Sequence, residues 1–318
     1  MSGGFVQDKT GGEIKIPIPV NVNKLIFNDY DLIVAISATV PHEATGFSGG
    51  LKIFFPGISG PEVIDLFHWA AAMISIENLI GTVNNAARDI LNEGARYIFR
   101  NLKTRVVSFN MVNAELENAV LPLGLYFAAG YEGFIEAYEA ACNLSIKAHI
   151  KYIDIPLNKV VQVMPENYDE IWTAGKGSYK LQRPGVMAEN GEIILYGPHI
   201  KVFHSNDSIN SDIINTGYHC RDYLKNYLER HPGFCKNSAA HLMNVAGPGK
   251  YDPSIDCEKL KFKITLATAI TEELCKKVNL NYRNPDTLKK IDFQSSGKLW
   301  IEDGGKYLYE LNTKKAEV

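Results

Sequence analysis

Short runs of Val, Ile and Leu alternate along this chain with stretches of helical spacing, and no run approaches the roughly 20 apolar residues that cross a bilayer. The pattern predicts strands at Asp31–Ala38, Val106–Val112 and Lys159–Met164, a strand-like lead at Glu13–Val22, and helical segments over Ala70–Phe99 and Gly133–Leu144. Asn84-Asn85 interrupts the first helical segment and divides it in two. The alternation then repeats as strand Glu192–Tyr196, helix Asp212–Glu229, strand Lys261–Leu266 and helix Thr271–Lys277. Asn284-Pro285 opens a last helix through Leu288, and Trp300–Tyr309, with Gly304-Gly305 at its centre, predicts a terminal hairpin. Strands alternating with helices specify the α/β class. At 318 residues the chain exceeds one ordinary domain, so two α/β domains are expected, 1–165 and 166–318, with a cleft between them. The polar tail 312–318 is expected to be loose.

Composition narrows the function classes. A formal net charge of -3 gives no basic footprint, so nucleic acid is not an expected partner and an anionic substrate must be captured by local groups. The five cysteines, at 142, 220, 235, 257 and 275, form no CxxC pair and no short metal-ligand spacing, which reads as reduced thiols rather than a zinc site. The start of the chain has no apolar signal region, and the expected location is the cytoplasm, away from any membrane.

The chemistry concentrates between Val40 and His68. Asp31–Ala38 suits a buried parallel strand, which puts His42 just past a carboxyl end, where open α/β sheets place their ligands. Gly46, Ser48, Gly49 and Gly50 supply a loop with little side-chain bulk, whose backbone N–H groups can approach an anion, and Lys52 follows at once. Taken singly, Gly-Gly before a lysine is a turn and His68 before Trp69 is a core histidine. A Walker phosphate loop would need Ser or Thr after the lysine, whereas Lys52 is followed by Ile53, so a kinase or ATPase is disfavoured. His199, His204 and His241 are read as surface or structural residues and enter no catalytic role.

Together the pieces Pro41-His42, Gly46-Phe47-Ser48-Gly49-Gly50-Leu51-Lys52, Pro56-Gly57-Ile58 and His68 resemble the cofactor-attachment region of the nickel-dependent lactate racemase family. The resemblance implies that Lys52 anchors a nickel-pincer nucleotide covalently, with Ser48, Gly49 and Gly50 in the cofactor loop, and that His68 completes the nickel shell; imidazole suits nickel. It also implies that His42 is a catalytic acid and base. A second, weaker match lies in Ile171-Trp-Thr-Ala-Gly-Lys176, where Lys176 would hold the substrate carboxylate and Trp172 and Thr173 would line the pocket. Trp172 and Thr173 stand where the lactate enzymes commonly carry Tyr and Gln, which puts lactate itself in doubt.

Racemising a 2-hydroxy acid removes hydride from C2, passes through a planar keto acid and returns hydride to the opposite face. One proton-transfer group per face is wanted, and histidine, with an unperturbed pKa of about 6.5, suits the task. The family places its first such histidine in an amino-terminal segment that precedes anything matched here, so His42 alone is expected in this chain, with a second polypeptide supplying the missing half-site of a heteromeric enzyme. Two other readings stay open: a cofactor-free binding or regulatory scaffold, and a lyase forming a Schiff base at Lys52.

Overall fold

A computed structural model describes residues 1–116 and 119–312, so the polar tail expected beyond Asn312 lies outside the described residues. The chain divides into two units, Met1–Ile150 and Lys151–Val318. The division falls ahead of residue 165, and the strand at Lys159–Met164 therefore belongs to the second unit. Each unit mixes strands and helices, the α/β class that the alternation predicts.

In the first unit, α1 (Gly3–Lys9) precedes β1 (Ile33–Ala38), the two-residue strands β2 (Pro41–His42) and β3 (Gly46–Phe47), α2 (Pro61–Ile74), α3 (Ile76–Leu79), α4 (Ala86–Asn101), β4 (Val106–Leu116), β5 (Ala119–Ala129) and α5 (Gly130–His149). β1 pairs parallel with β4, and β4 antiparallel with β5, in the order β1-β4-β5. α5 packs across one face of this sheet. The interruption at Asn84-Asn85 is an N-cap: the Asn85 side chain accepts the Arg88 N–H at 2.8 Å and starts α4. Phe54, Phe99 and Phe134 meet edge to face, with centroids 5.1–5.7 Å apart, and bind the turn after β3 to α4 and α5. Glu13–Val22 forms no strand and contributes one bridge, Val22 to Ser59, because Pro17 and Pro19 remove two ladder donors. Pro122 is tolerated in β5 because it sits on an edge strand, opposite Asn113 where the register shifts.

The second unit holds β6 (Ile150–Ile153, which begins at the division), β7 (Leu157–Val163), α6 (Ile171–Ala174), α7 (Lys176–Tyr179), β8 (Met187–Gly197), α8 (Asp207–Thr216), α9 (Arg221–Arg230), α10 (Lys236–Ala246), β9 (Gly249–Asp252), β10 (Cys257–Leu260), β11 (Lys263–Thr268), α11 (Glu272–Lys277), β12 (Asn281–Tyr282), β13 (Lys298–Ile301) and β14 (Leu308–Leu311). Five of these strands form an all-parallel sheet in the order β12-β11-β8-β7-β13. The helix expected over 212–229 is two helices, broken where Gly217 turns through φ 83°. The helix expected after Pro285 is a 3-10 turn, Pro285–Thr287.

The expected terminal hairpin does not form. β13 joins the parallel sheet beside β7, and β14 pairs with β6. Docked this way, Trp300 packs on the cluster of Val161, Ile194, Ala267 and Phe293, burial that an isolated two-stranded hairpin cannot provide. Among the described residues no helix is long and apolar enough to cross a membrane.

Glu192 ties three strands of the sheet, accepting from Lys159 Nζ at 2.8 Å and Thr265 Oγ1 at 2.7 Å. Burial pushes its carboxyl pKa up, but the Lys159 and Thr265 bonds and the Lys159 and Arg283 charges outweigh burial and hold it below the ordinary value. The unfolded chain therefore binds the proton more tightly. The stabilisation is present above the unfolded value, about 4.5, and is lost as pH falls through the lower folded value. Urea titrations across pH 3–6 should show a steeper acid loss for the natural chain than for Glu192→Gln.

Candidate functional site

The carboxyl end of β1 passes through Thr39 into the β2–β3 hairpin, in which Pro41 pairs with Phe47 and His42 with Gly46. Ser48 locks the join: its Oγ donates to the Ala38 carbonyl at 2.8 Å and accepts the Val40 N–H at 3.0 Å. Gly49 and Gly50 follow with φ of 81° and 62°, which L side chains rarely adopt. A Cβ on Gly49 would come within 2.5 Å of Asn110 Oδ1 on β4, and one on Gly50 within 3.1 Å of the Tyr138 side chain on α5. The glycines let the chain lie directly on the sheet and helix before the 3-10 turn Gly50–Ile53 presents Lys52.

Arg88 is the residue of this region that sequence reasoning missed. It is 2% exposed, and its Nη2 donates to the Phe47 carbonyl at 2.5 Å and the Thr45 carbonyl at 3.3 Å. The guanidinium lies 3.9 Å from the Tyr138 ring centroid. It clamps both ends of β3 and so holds the hairpin that carries His42. The available signal was its place on the apolar stripe of α4, in line with Leu91, Ala95 and Ile98.

His68, on α2, places Nδ1 2.7 Å from the Ile64 carbonyl oxygen. A carbonyl only accepts, so Nδ1 carries the proton and Nε2 keeps its lone pair, the arrangement of an imidazole ready to bind a metal. Burial is the main cause that pulls its pKa below the ordinary 6.5, keeping it neutral at pH 7. The Ile64 carbonyl and Glu43 oppose that shift while Lys52 reinforces it, so the charges of Glu43 and Lys52 both reach the ring. His42 accepts the Ala44 N–H on Nδ1 at 3.1 Å, and Glu43 Oε2 stands 3.6 Å from the same nitrogen. The structure thus gathers His42, Ser48, Gly49, Gly50, Lys52 and His68 around one hairpin, turn and helix face of the first unit.

Lys176, Trp172 and Thr173 belong to the second unit. In its sheet, β8, β11 and β12 lie in turn on one side of β7 while β13 returns to the other, which makes the carboxyl ends of β7 and β13 a topological switch point. Lys176 opens α7 there: Gly305, just past β13, packs against its Cβ, and its Nζ lies 5.8 Å from the Tyr168 ring centroid. Buried Gln162, on β7, fixes both walls, donating to the Gly177 carbonyl at 2.6 Å and accepting the Gly305 N–H at 2.8 Å. Trp172 stacks on His241, with centroids 4.1 Å apart, and meets His204 edge-on at 4.9 Å. His204 and His241 are therefore supports of the Trp172 ring, which their sequence neighbours did not signal. Thr173 Oγ1 donates to the Glu170 carbonyl at 3.0 Å.

Two substitutions test the first-unit geometry by urea denaturation. Gly49→Ala should lose roughly 2 kcal/mol or more through backbone strain and the contact with Asn110. Arg88→Met should lose about 1–2 kcal/mol by removing the Nη2 bonds to the Phe47 and Thr45 carbonyls, which keep only the Thr45 Oγ1 and Asn85 Nδ2 donors, and Arg88→Lys should recover part of it.

Residues 10–80 match the family model described as the lactate racemase N-terminal domain. A crystal structure of a protein from Thermotoga maritima is 54% identical, with a TM-score of 0.92, over 98% of this chain and 74% of that one. The lactate racemase apoprotein from Thermoanaerobacterium thermosaccharolyticum superposes with a TM-score of 0.62 at 17% identity, over 91% of this chain and 65% of that one, which is a likeness of fold. No curated protein matches the sequence. Residues 10–80, which span β1, the glycine turn, Lys52 and His68, are thus similar to the N-terminal domain of the lactate racemase family, and the chain shares the fold of a lactate racemase apoprotein.

Proposed function

We propose that this protein is a racemase or epimerase of a small anionic 2-hydroxy acid, working through a nickel-pincer nucleotide attached to Lys52. The observation that carries the reading is the tautomer of His68: its Nδ1–H is committed to the Ile64 carbonyl, which leaves the Nε2 lone pair as a metal donor. Among the described residues no three His, Cys, Asp or Glu side chains are grouped to hold an ion, so nickel bound at His68 would take its remaining donors from the nucleotide. Ser48, Gly49 and Gly50 shape the turn beside it. When bound, the nickel-pincer group would supply acceptance and return of hydride.

His42 manages the hydroxyl proton. While Nδ1 accepts from Ala44, the neutral ring carries its proton on Nε2; it becomes a proton donor as the imidazolium, with Nδ1–H turned to Glu43. When Nδ1 carries a proton and turns to Glu43, 3.6 Å away, Nε2 of the neutral ring becomes the acceptor. One histidine can thereby give or take a proton at the same nitrogen. Lys176, at the switch point of the second sheet, is the carboxylate clamp, and Trp172, held between His204 and His241, forms a rigid pocket wall with Thr173 behind it. The five cysteines, none of them in a disulfide among the described residues, suit a reducing cytoplasm.

Protein purified from cells that make the nucleotide should carry a Lys52 adduct in peptide mass spectra and near-stoichiometric nickel. His68→Ala should lose most of the nickel and keep the adduct, and Lys52→Arg should lose both. Full nickel in the His68 variant would overturn the ligand assignment; borohydride trapping of a keto acid on unmodified Lys52 would favour the Schiff-base alternative.

A further inference from the structure

In the second unit, Trp172 and Lys176 stand on one helical stretch. α6 and α7 run on from each other because Gly175 between them is itself helical, at φ -55° and ψ -20°. Four positions apart, Trp172 and Lys176 therefore share one side of it. A Cβ on Gly175 would come within 2.6 Å of Val245 Cγ2 and 3.3 Å of His241 Cε1, so the glycine lets this stretch lie directly on α10. Ser178 fastens the contact, donating to the Val245 carbonyl at 2.7 Å.

Trp172 is fixed at both backbone and ring. Its N–H donates to the Phe203 carbonyl at 2.9 Å, one residue on from the Ile171 N–H bond to Val202 at 3.1 Å. The indole lies on His241 with 26° between the planes, and His204 meets it edge-on at 71°. His241 is 6% exposed, and its Nδ1 shares a 2.9 Å hydrogen bond with Oη of Tyr179, itself 5% exposed on α7, the helix that Lys176 opens. His204 is oriented by the Asn206 N–H, which its Nδ1 accepts at 2.8 Å. The indole is thus laid back on α10, with one face covered by His241, and the ring, only partly buried, keeps apolar surface for a ligand. Thr173 beside it commits its hydroxyl proton to the Glu170 carbonyl.

We propose that Tyr179 and His241 are positioning residues that hold the Trp172 ring as an apolar shelf beside Lys176, and that this shelf selects 2-hydroxy acids with a branched-alkyl or aryl side chain. The proposal rests on the reading of Lys176 as the carboxylate clamp. With the carboxylate at Lys176, the side chain of the acid falls on the indole. The methyl of lactate covers little of that ring, and a second carboxylate would shed its water against an aromatic face. An aryl side chain stacks on it offset or edge-on. One methylene in an apolar pocket already discriminates by about 10–200-fold.

The test is ligand-observed NMR titration of the full chain, purified from cells that make the nucleotide, with 2-hydroxyisocaproate, phenyllactate, lactate and malate. The first two should bind about tenfold or more tighter than the last two. Trp172→Ala should remove most of that preference. Tyr179→Phe keeps the ring packing and removes the hydrogen bond; it should weaken the two apolar acids by about fivefold and lactate by less. His241→Ala should do the same more strongly, and His241→Phe, which restores a stacking ring, should recover part of the loss. Lactate or malate bound as tightly as phenyllactate, no binding of any acid, or equal weakening of all four acids by Tyr179→Phe would overturn the proposal. Lys176→Met should weaken all four acids alike, and apolar binding that survives it would sink the clamp reading while the shelf stands. Nickel and the Lys52 adduct, measured on the same preparation, report on the cofactor reading separately.

Discussion

The first unit depends on a contact that has no room for a side chain. Gly49 and Gly50 lie on Thr39, Asn110 and Tyr138, and that close approach joins strand, turn and helix into one body. From it follow the direction of the 3-10 turn, the emergence of Lys52 on the side of His68, and the seat of the β2–β3 hairpin. Arg88 secures the same hairpin from below. A buried guanidinium is costly unless it finds partners, and here Nη2 bonds two carbonyls and the charge lies over the Tyr138 ring, while Nε is left without a hydrogen-bond partner.

The second unit obtains its site from topology. A parallel sheet whose strand order reverses at β7 opens a crevice at the carboxyl ends of β7 and β13, and Lys176 stands at that opening. Gln162 closes the crevice walls by bonding both Gly177 and Gly305. The glycine pair at 304 and 305 suggests a hairpin turn in the sequence; its work in the fold is to bring backbone against Val163 and the base of Lys176.

Much of the first site was legible because its demands are local. Histidine after a strand, glycines before a lysine and a histidine on the next helix are spaced along some thirty residues, and local conformation carries that information. Arg88 was illegible because its partners, Thr45 and Phe47, are about forty positions away and are backbone carbonyls, which every residue possesses. His204 and His241 escaped for a related reason: each is an ordinary polar residue until folding brings Trp172 against it. Glu13–Val22 misled because β-branched residues advertise a strand while Pro17 and Pro19 forbid its ladder.

The amino-acid sequence by itself determined the α/β alternation, the positions that only glycine can occupy, and the residue types able to anchor, ligate and exchange a proton. Those follow from side-chain chemistry and from short-range backbone preference. Only the tertiary structure decided that β13 completes a parallel sheet instead of a hairpin, that the proton of His68 sits on Nδ1, and that Arg88 holds the His42 hairpin. Each of these depends on which distant surfaces meet, and burial and hydrogen-bond satisfaction, not local propensity, select that outcome.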